Sequence, residues 1–486
     1  MINLYQVLKA TAERQPSQIA ICDCEKRVSV TYTDLIGRID SLAEQLISAG
    51  IRPGECVGLH LASGADYIIT TYALWKMGAC VVPIPMELAP PEKRQICERI
   101  SIHTVISCGR PLSFLSGLHA NVVSRIGVCS IVRIVPVRDH PPEFAQINAA
   151  FIRFSSGTTG AAKGIVLSHK TIFDRVHVAN IGLQLSPRDR VVWLLSMSYH
   201  FAVSIVAYLT FGASIILHKR AVDLGRAVVE DATEQGGTII YGGPMQYELM
   251  SRDRSGRMMD KLRLAISTAT SLSVDTAQAF LERFGVPLTQ AYGVIEIGLP
   301  CINLRYSSEK IDSVGQVLPG FNIRLIDCDE SSGLSSIGFR GKGILDAYYD
   351  PWQDRCDITA DGWFCTGDLG EMDEDGCLYI RGRATEMINV GGMKFFPREV
   401  ENVLISHPAI QEAVVFPARL GNAREFACAQ VVSRSNVGNR PTTAELRQFC
   451  AKRLAHFKVP QEMEYVSSLE RTASGKILRR SVVRDF

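Results

Sequence analysis

Residues 151–169 read FIRFSSGTTGAAKGIVLSH. The flanking runs FIRF and GIVLSH have the apolar, β-forming character of strands, so the segment predicts strand, glycine-rich loop, strand. Glycines let successive backbone N–H groups turn toward an anion, the threonine hydroxyls add donors, and Lys163 adds a point charge. The spacing G-x-x-G-x-x-K-G differs from the helix-opening nucleotide loop G-x-x-x-x-G-K-[ST]. Taken alone, the stretch reads equally well as a phosphate-holding loop or as a flexible hairpin turn.

On both sides the chain repeats one rhythm. YTDLIGRIDSLAEQLISAG carries apolar residues at helical spacing and stops at Gly50; CVGLHL, ADYIITTYALWKMGA and CVVPI follow as strand, helix and strand. The runs VVWLL, ASIILH, TIIYGG, LRLAIST and VPLTQAYG continue it further on. Strands alternating with helices predict an α/β body of parallel-type sheets covered on both faces. Beyond residue 300, NIRLIDCD, GFRGKGI and CLYIRGR are short strands between Gly, Asp and Ser turns, which predict an antiparallel or barrel-like section. A compact tail follows with two helical patterns, PREVENVLISH and TAELRQFCAKRLA, and the basic segment RTASGKILRR.

Composition narrows the class. With 486 residues, 47% hydrophobic and 21% charged, the chain is an ordinary globular protein of more than one domain. A net charge of +2 gives no electrostatic reason to expect nucleic acid or an acidic membrane as partner. The fourteen cysteines show neither C-x-x-C pairs nor His–Cys clusters, so mostly buried free thiols in the cytoplasm are expected. MINLYQVLKATAERQP reads as an amphipathic helix and not as a signal segment.

Four further segments stand in order after the loop: TQAYGVIEIG at 289–298, WFCTGDLG at 363–370, GRATEMINVGG from 382 with Arg383, and RTASGKILRR with Lys476. A Tyr-Gly strand end offers a ring to a planar ligand, Glu296 offers a hard oxygen to magnesium, and Asp368 can accept from ribose hydroxyls. Together the five segments resemble the adenylate-forming superfamily: acyl-CoA synthetases, aryl-acid ligases, luciferases and peptide-synthetase adenylation domains. The resemblance covers essentially the whole chain. It implies a large N-terminal α/β domain (1–383) that binds ATP and acid, and a small mobile α+β lid (384–486).

The resemblance also implies roles. Ser155, Ser156, Gly157, Thr158, Thr159, Gly160 and Lys163 are expected to hold the β- and γ-phosphates of ATP. Tyr292 and Gly293 meet the adenine, Glu296 holds Mg2+, and Asp368 with Arg383 holds the ribose. Lys476 bridges the acid's carboxylate and the α-phosphate. Thr385 stands at the hinge, and Gly391 with Gly392 matches a small-residue pair that passes a phosphopantetheine arm. The acid pocket is expected from Tyr199, His200, Gly242, Gly243, Ala269, Thr270 and Gly298; the alignment leaves open whether Tyr199 or His200 takes the pocket's histidine-like position. Residues 196–204 contain no acidic group to hold an α-ammonium, so the expected substrate is an acyl or aryl acid. Three positions depart from the family pattern: Ala162 for a proline before the loop lysine, Ile295 for a threonine before the magnesium glutamate, and Thr385 for Asp or Lys. The activity implied is an AMP-forming acid–thiol ligase using ATP and CoA. The alternatives are a free-standing enzyme that loads a carrier protein's phosphopantetheine, and a non-catalytic nucleotide-binding relative.

Overall fold

The computed structural model describes all residues except 1, 110–111, 156–162, 220, 330–333, 391–392, 421–423, 435–439, 472–476, 479–481 and 485–486. The chain divides into two compact units: residues 1–322, 339–364 and 374–378 form the first, and residues 323–338, 365–373 and 379–486 the second.

Two sheets build the first unit. The strands read from VVWLL, ASIILH, TIIYGG, LRLAIST and VPLTQAYG lie at Arg190–Trp193, Ser214–Leu217, Ile239–Gly242, Leu264–Ser267 and Leu288–Val294. They pair in parallel, with Val191 opposite Ile239, Ile239 opposite Leu264 and Ala265 opposite Leu288. Ile19–Asp23 extends the sheet in parallel beside Ser214–Leu217, while Gly298–Ile302 turns back antiparallel on Leu288–Val294. Val192, Ile216, Ile240, Ala265 and Leu288 share one buried cluster with Val228, Tyr247, Met250 and Phe280 from the covering helices. Strands buried on both faces need continuous Val and Ile, which is why these runs were legible as sequence.

The second sheet holds the two strands that flank the glycine-rich loop in sequence. Ala149–Ser155 pairs antiparallel with Lys163–Ser168, Ser155 standing opposite Lys163, and Ala347–Tyr349 pairs with the latter strand. Cys80–Pro83 and Cys56–His60 run parallel beside them. Residues 156–162, expected to hold phosphate, lie outside the described residues.

The section expected to be antiparallel or barrel-like is a four-stranded sheet of Phe321–Asp329, Leu334–Gly341, Phe364–Met372 and Leu378–Arg383. Among the described residues its strands do not close into a barrel. The remainder of the second unit packs helices Pro397–Ile405 and Thr443–Ala451 on the long hairpin Ile410–Leu420 and Arg424–Ser433. Thr442 and Glu445 cap the second helix reciprocally, as T-x-x-E at a helix start predicts.

Among the described residues eleven cysteines take part in no disulfide, most of them buried. Cys108 and Cys129 are the exception to the expected free thiols: they face each other across antiparallel strands and are joined as a disulfide. Among the described residues no helix is long and apolar enough to cross a membrane.

Candidate active site

The predicted acid-pocket residues gather at one edge of the parallel sheet. Tyr199 and His200 end the short helix Met197–His200, which follows the strand Arg190–Trp193. Gly242 closes the next strand, and Gly243 caps the helix Pro244–Ser251. Ala269 and Thr270 follow Leu264–Ser267 as exposed residues, Ala269 in the left-handed region at φ 72°. Tyr292 lies near the end of Leu288–Val294. These four strands are sheet neighbours in parallel register, so residues from four separate segments share their carboxyl ends. In open α/β sheets that edge is where ligands bind, because the loops there diverge and the backbone dipoles of following helices point at it.

His200 stands in an aromatic box. The rings of Trp193 and Tyr241 stack at 5.6 Å, and the His200 ring meets each edge-on at 6.2 Å. The sequence does not mark Trp193 out, because a tryptophan inside an apolar strand looks like core. Tyr292 lies 6.1 Å from Phe339, their rings inclined by 32°.

Glu296 occupies the turn between Leu288–Val294 and Gly298–Ile302, and its backbone is pinned by a buried arginine. Arg175, on the helix His169–Leu183, is 1% exposed. It donates to the carbonyls of Ile295 at 2.7 Å, Glu296 at 2.8 Å and Gly343 at 2.5 Å. Burial draws its pKa down to about 9, against the opposing fields of Asp346 and Glu296, so it remains a cation at neutral pH. Gly343, at φ 93°, could not be another residue: an added Cβ would lie 2.6 Å from Arg175 Cγ. Gly298 packs on the same arginine, where a Cβ would meet it at 3.2 Å.

Tyr348 links two predicted phosphate-side groups. Lys163 Nζ sits 4.2 Å from the centre of its ring, and the field of the Glu296 carboxylate bears on its hydroxyl. Burial first, and then that negative partner, push the Tyr348 pKa well up. A strand tyrosine carries no spacing signal; only the pairing of Tyr348 with Ile165 places it beside Lys163.

In the second unit, Asp368 and Arg383, the two residues expected at the ribose, form an ion pair, Arg383 Nε lying 3.1 Å from Asp368 Oδ1. Asp368 is 5% exposed, and its backbone N–H donates to the Thr366 hydroxyl at 3.1 Å. Gly391, Gly392 and Lys476 lie outside the described residues, as does the side chain of Thr385.

The family model described as AMP-binding enzyme matches residues 8–349, and that of the AMP-binding enzyme C-terminal domain matches residues 399–476. The chain is 28% identical over 477 residues to feruloyl-CoA synthase of an Amycolatopsis species, covering 94% of each chain. It is 26% identical over 531 residues to the mitochondrial medium-chain acyl-CoA ligase of Bos taurus, covering 97% of this chain and 85% of the other. Among solved structures it resembles o-succinylbenzoate CoA synthetase from Bacillus subtilis in complex with an acyl-adenylate intermediate. That match has a TM-score of 0.84 at 22% identity over 98% and 97% of the two chains, a likeness of fold.

Proposed function

Because the chain belongs to the AMP-binding enzyme family and is an AMP-forming acid–CoA ligase, we propose that its substrate is an acyl or aryl carboxylic acid without an α-amino group. The observation that supports this most is the convergence of Tyr199, Gly242, Ala269 and Tyr292 at the carboxyl ends of four adjacent parallel strands. The described part of that edge offers an aromatic box and small residues. The segment 196–204 that follows its first strand has no carboxylate to pair with an α-ammonium.

The reaction proceeds in two displacements. An oxygen of the acid's carboxylate attacks the α-phosphorus of ATP and pyrophosphate leaves. The CoA thiol then attacks the carbonyl carbon of the acyl-adenylate, loses its proton, and AMP leaves. Two anions must approach in the first step, so catalysis is mainly electrostatic. In this proposal the glycine-rich loop and Lys163 grip the pyrophosphate end, Tyr292 and Gly293 flank the adenine, and Asp368 with Arg383 accepts the ribose. Lys476 neutralises charge between carboxylate and α-phosphate. Glu296 fits a magnesium ion: it is a half-buried hard oxygen donor on a pinned backbone, and magnesium bound by one carboxylate and phosphates needs no more from the protein. Such an ion would draw charge from the phosphate oxygens. The boundary near residue 383 divides an ATP- and acid-binding body from a lid that carries Lys476 and turns at Thr385. Gly391 and Gly392 pass the pantetheine arm between half-reactions. A cytoplasmic location suits the eleven described cysteines that take part in no disulfide.

Carboxylate-dependent ATP–pyrophosphate exchange over an acid panel tests the reading, with CoA and a phosphopantetheinyl carrier protein compared as acceptors. Exchange with an aryl or acyl acid and thioester formation on CoA is the expected result; turnover only with the carrier protein reassigns the acceptor. Lys476→Ala should abolish adenylate formation yet retain thioester formation from supplied acyl-adenylate. Equal loss of both steps refutes the moving-lysine assignment.

A further inference from the structure

We propose that Arg153 is a second carboxylate-binding cation of the acid site, holding the reacting carboxylate of the substrate. The inference rests on the acid-activating reading above. Arg153 lies in the strand Ala149–Ser155, two residues before the phosphate loop. Its neighbour Ile152 is fully buried in the apolar cluster with Val166 and Ala347. Successive strand side chains point to opposite faces, so Arg153 leaves that cluster for the other face of the sheet. There its Nη1 donates to the Tyr199 carbonyl at 2.8 Å, and its guanidinium carbon lies 5.1 Å from the Tyr199 ring centre. Tyr199 belongs to the segment that follows the first of the four strand ends, so Arg153 reaches the acid pocket itself.

The guanidinium is under-satisfied. Its Nε is buried and has no hydrogen-bond partner among the described residues. A buried cation is costly unless an anion and full hydrogen bonding compensate it. Glu296 and Tyr199 are the groups whose fields favour the charged form of Arg153, while burial opposes it. Tyr199 is no anion: burial, with Glu87 and Glu92 adding to it, pushes its pKa up to about 12. Glu296 favours the charge of Arg153 through its field but forms no ion pair with it among the described residues. The side chain as a whole is only half-buried, so the guanidinium keeps a donor within reach of an anionic oxygen beside Tyr199.

Which anion belongs there follows from the remaining charges. The fields of Glu87 and Glu92 bear on Tyr199, the pocket-side neighbour of Arg153, and disfavour a second negative group carried deeper by the substrate. The one anion that every substrate of the reaction brings is its reacting carboxylate. Glu296, whose field bears on Arg153, is the proposed metal group on the phosphate side. A guanidinium suits this task because it presents a fixed fork of donors, one arm already anchored on the Tyr199 carbonyl.

The test is steady-state pyrophosphate exchange with Arg153→Met, using the best acid found for the unaltered enzyme. Losing a charge-assisted hydrogen bond should raise KM for the acid about 10- to 100-fold, with KM for ATP unchanged within about twofold. A structural role would instead move both constants, or only the unfolding midpoint. Arg153→Gln, which keeps a donor and fills the slot, is the second variant and should raise the acid KM in the same way. An unchanged acid KM in whichever variant folds, or equal rises for acid and ATP, overturns the assignment. Failure of the unaltered enzyme to exchange pyrophosphate with any acid would overturn the acid-activating reading first, so the two failures are distinguishable.

Discussion

Arg175→Met asks whether one buried side chain sets the position of Glu296. Methionine fills a similar volume but removes three donors, leaving the carbonyls of Ile295, Glu296 and Gly343 without them. The Glu296 carbonyl keeps the N–H of Leu345 at 2.7 Å, so two acceptors bear most of the loss. An orphaned buried acceptor costs about 1–3 kcal/mol. Two of them cost about 2–6 kcal/mol, and release from desolvating a guanidinium offsets part of this. The expected net destabilisation is about 3 kcal/mol, read as a lower urea midpoint by tryptophan fluorescence. Activity should fall further than the folded fraction does, because the turn from Ile295 to Gly298 loses its anchor. Arg175→Lys should rescue little, since one ammonium cannot reach three carbonyls that a planar fork spans. A folded Arg175→Met variant with unaltered exchange rate and magnesium dependence would refute the claim that Arg175 positions Glu296.

Gly293→Ala should weaken AMP binding by more than tenfold in calorimetry with the fold intact, because the new Cβ would lie 2.6 Å from the Gly298 carbonyl oxygen and displace the turn beside Tyr292; unchanged affinity would show that this turn does not touch the nucleotide. Stability should also fall in mild acid. Burial lowers the His169 pKa from 6.5 to about 4, and its Nδ1 accepts the Leu4 N–H at 3.3 Å. The folded pKa lies below the unfolded one, so this contribution is complete above pH 6.5 and is lost as pH falls toward 4. Between pH 7.5 and 5 it amounts to about 2 kcal/mol, which His169→Gln should remove from the pH dependence of urea unfolding; an equal pH dependence in the variant would discount His169.

Legibility in the sequence followed burial. The parallel strands were readable because a strand covered on both faces cannot alternate, and VVWLL, ASIILH and TIIYGG do not. The order of those strands in space was not readable: Arg190–Trp193 lies between Ser214–Leu217 and Ile239–Gly242, a crossover that hydrophobic pattern does not encode. The short strands past residue 300 suggested a barrel, because turn-rich antiparallel sequence is compatible with both a closed and an open sheet. Closure depends on pairing between strands far apart in the chain. The Cys108–Cys129 bridge was hidden for a similar reason, its 21-residue separation having no meaning until the two strands pair.

The same limit explains which candidate residues stand out in the sequence. Glu296, Asp368 and Arg383 lie in glycine-punctuated turns or at strand ends, where a polar residue stands out against its surroundings. Arg153, Arg175 and Tyr348 lie inside regular elements whose patterns they hardly disturb. Arg153 within FIRF counts as one polar residue in an apolar strand, a feature that usually marks a solvent-facing position. The structure turns that side toward Tyr199 and the field of Glu296. A charged residue on the inward face of a strand costs stability unless something is gained from it. Arg175 already has its compensation in three carbonyls. Arg153 retains an unsatisfied nitrogen, and a site whose substrate arrives as an anion is where such a cost is recovered on binding.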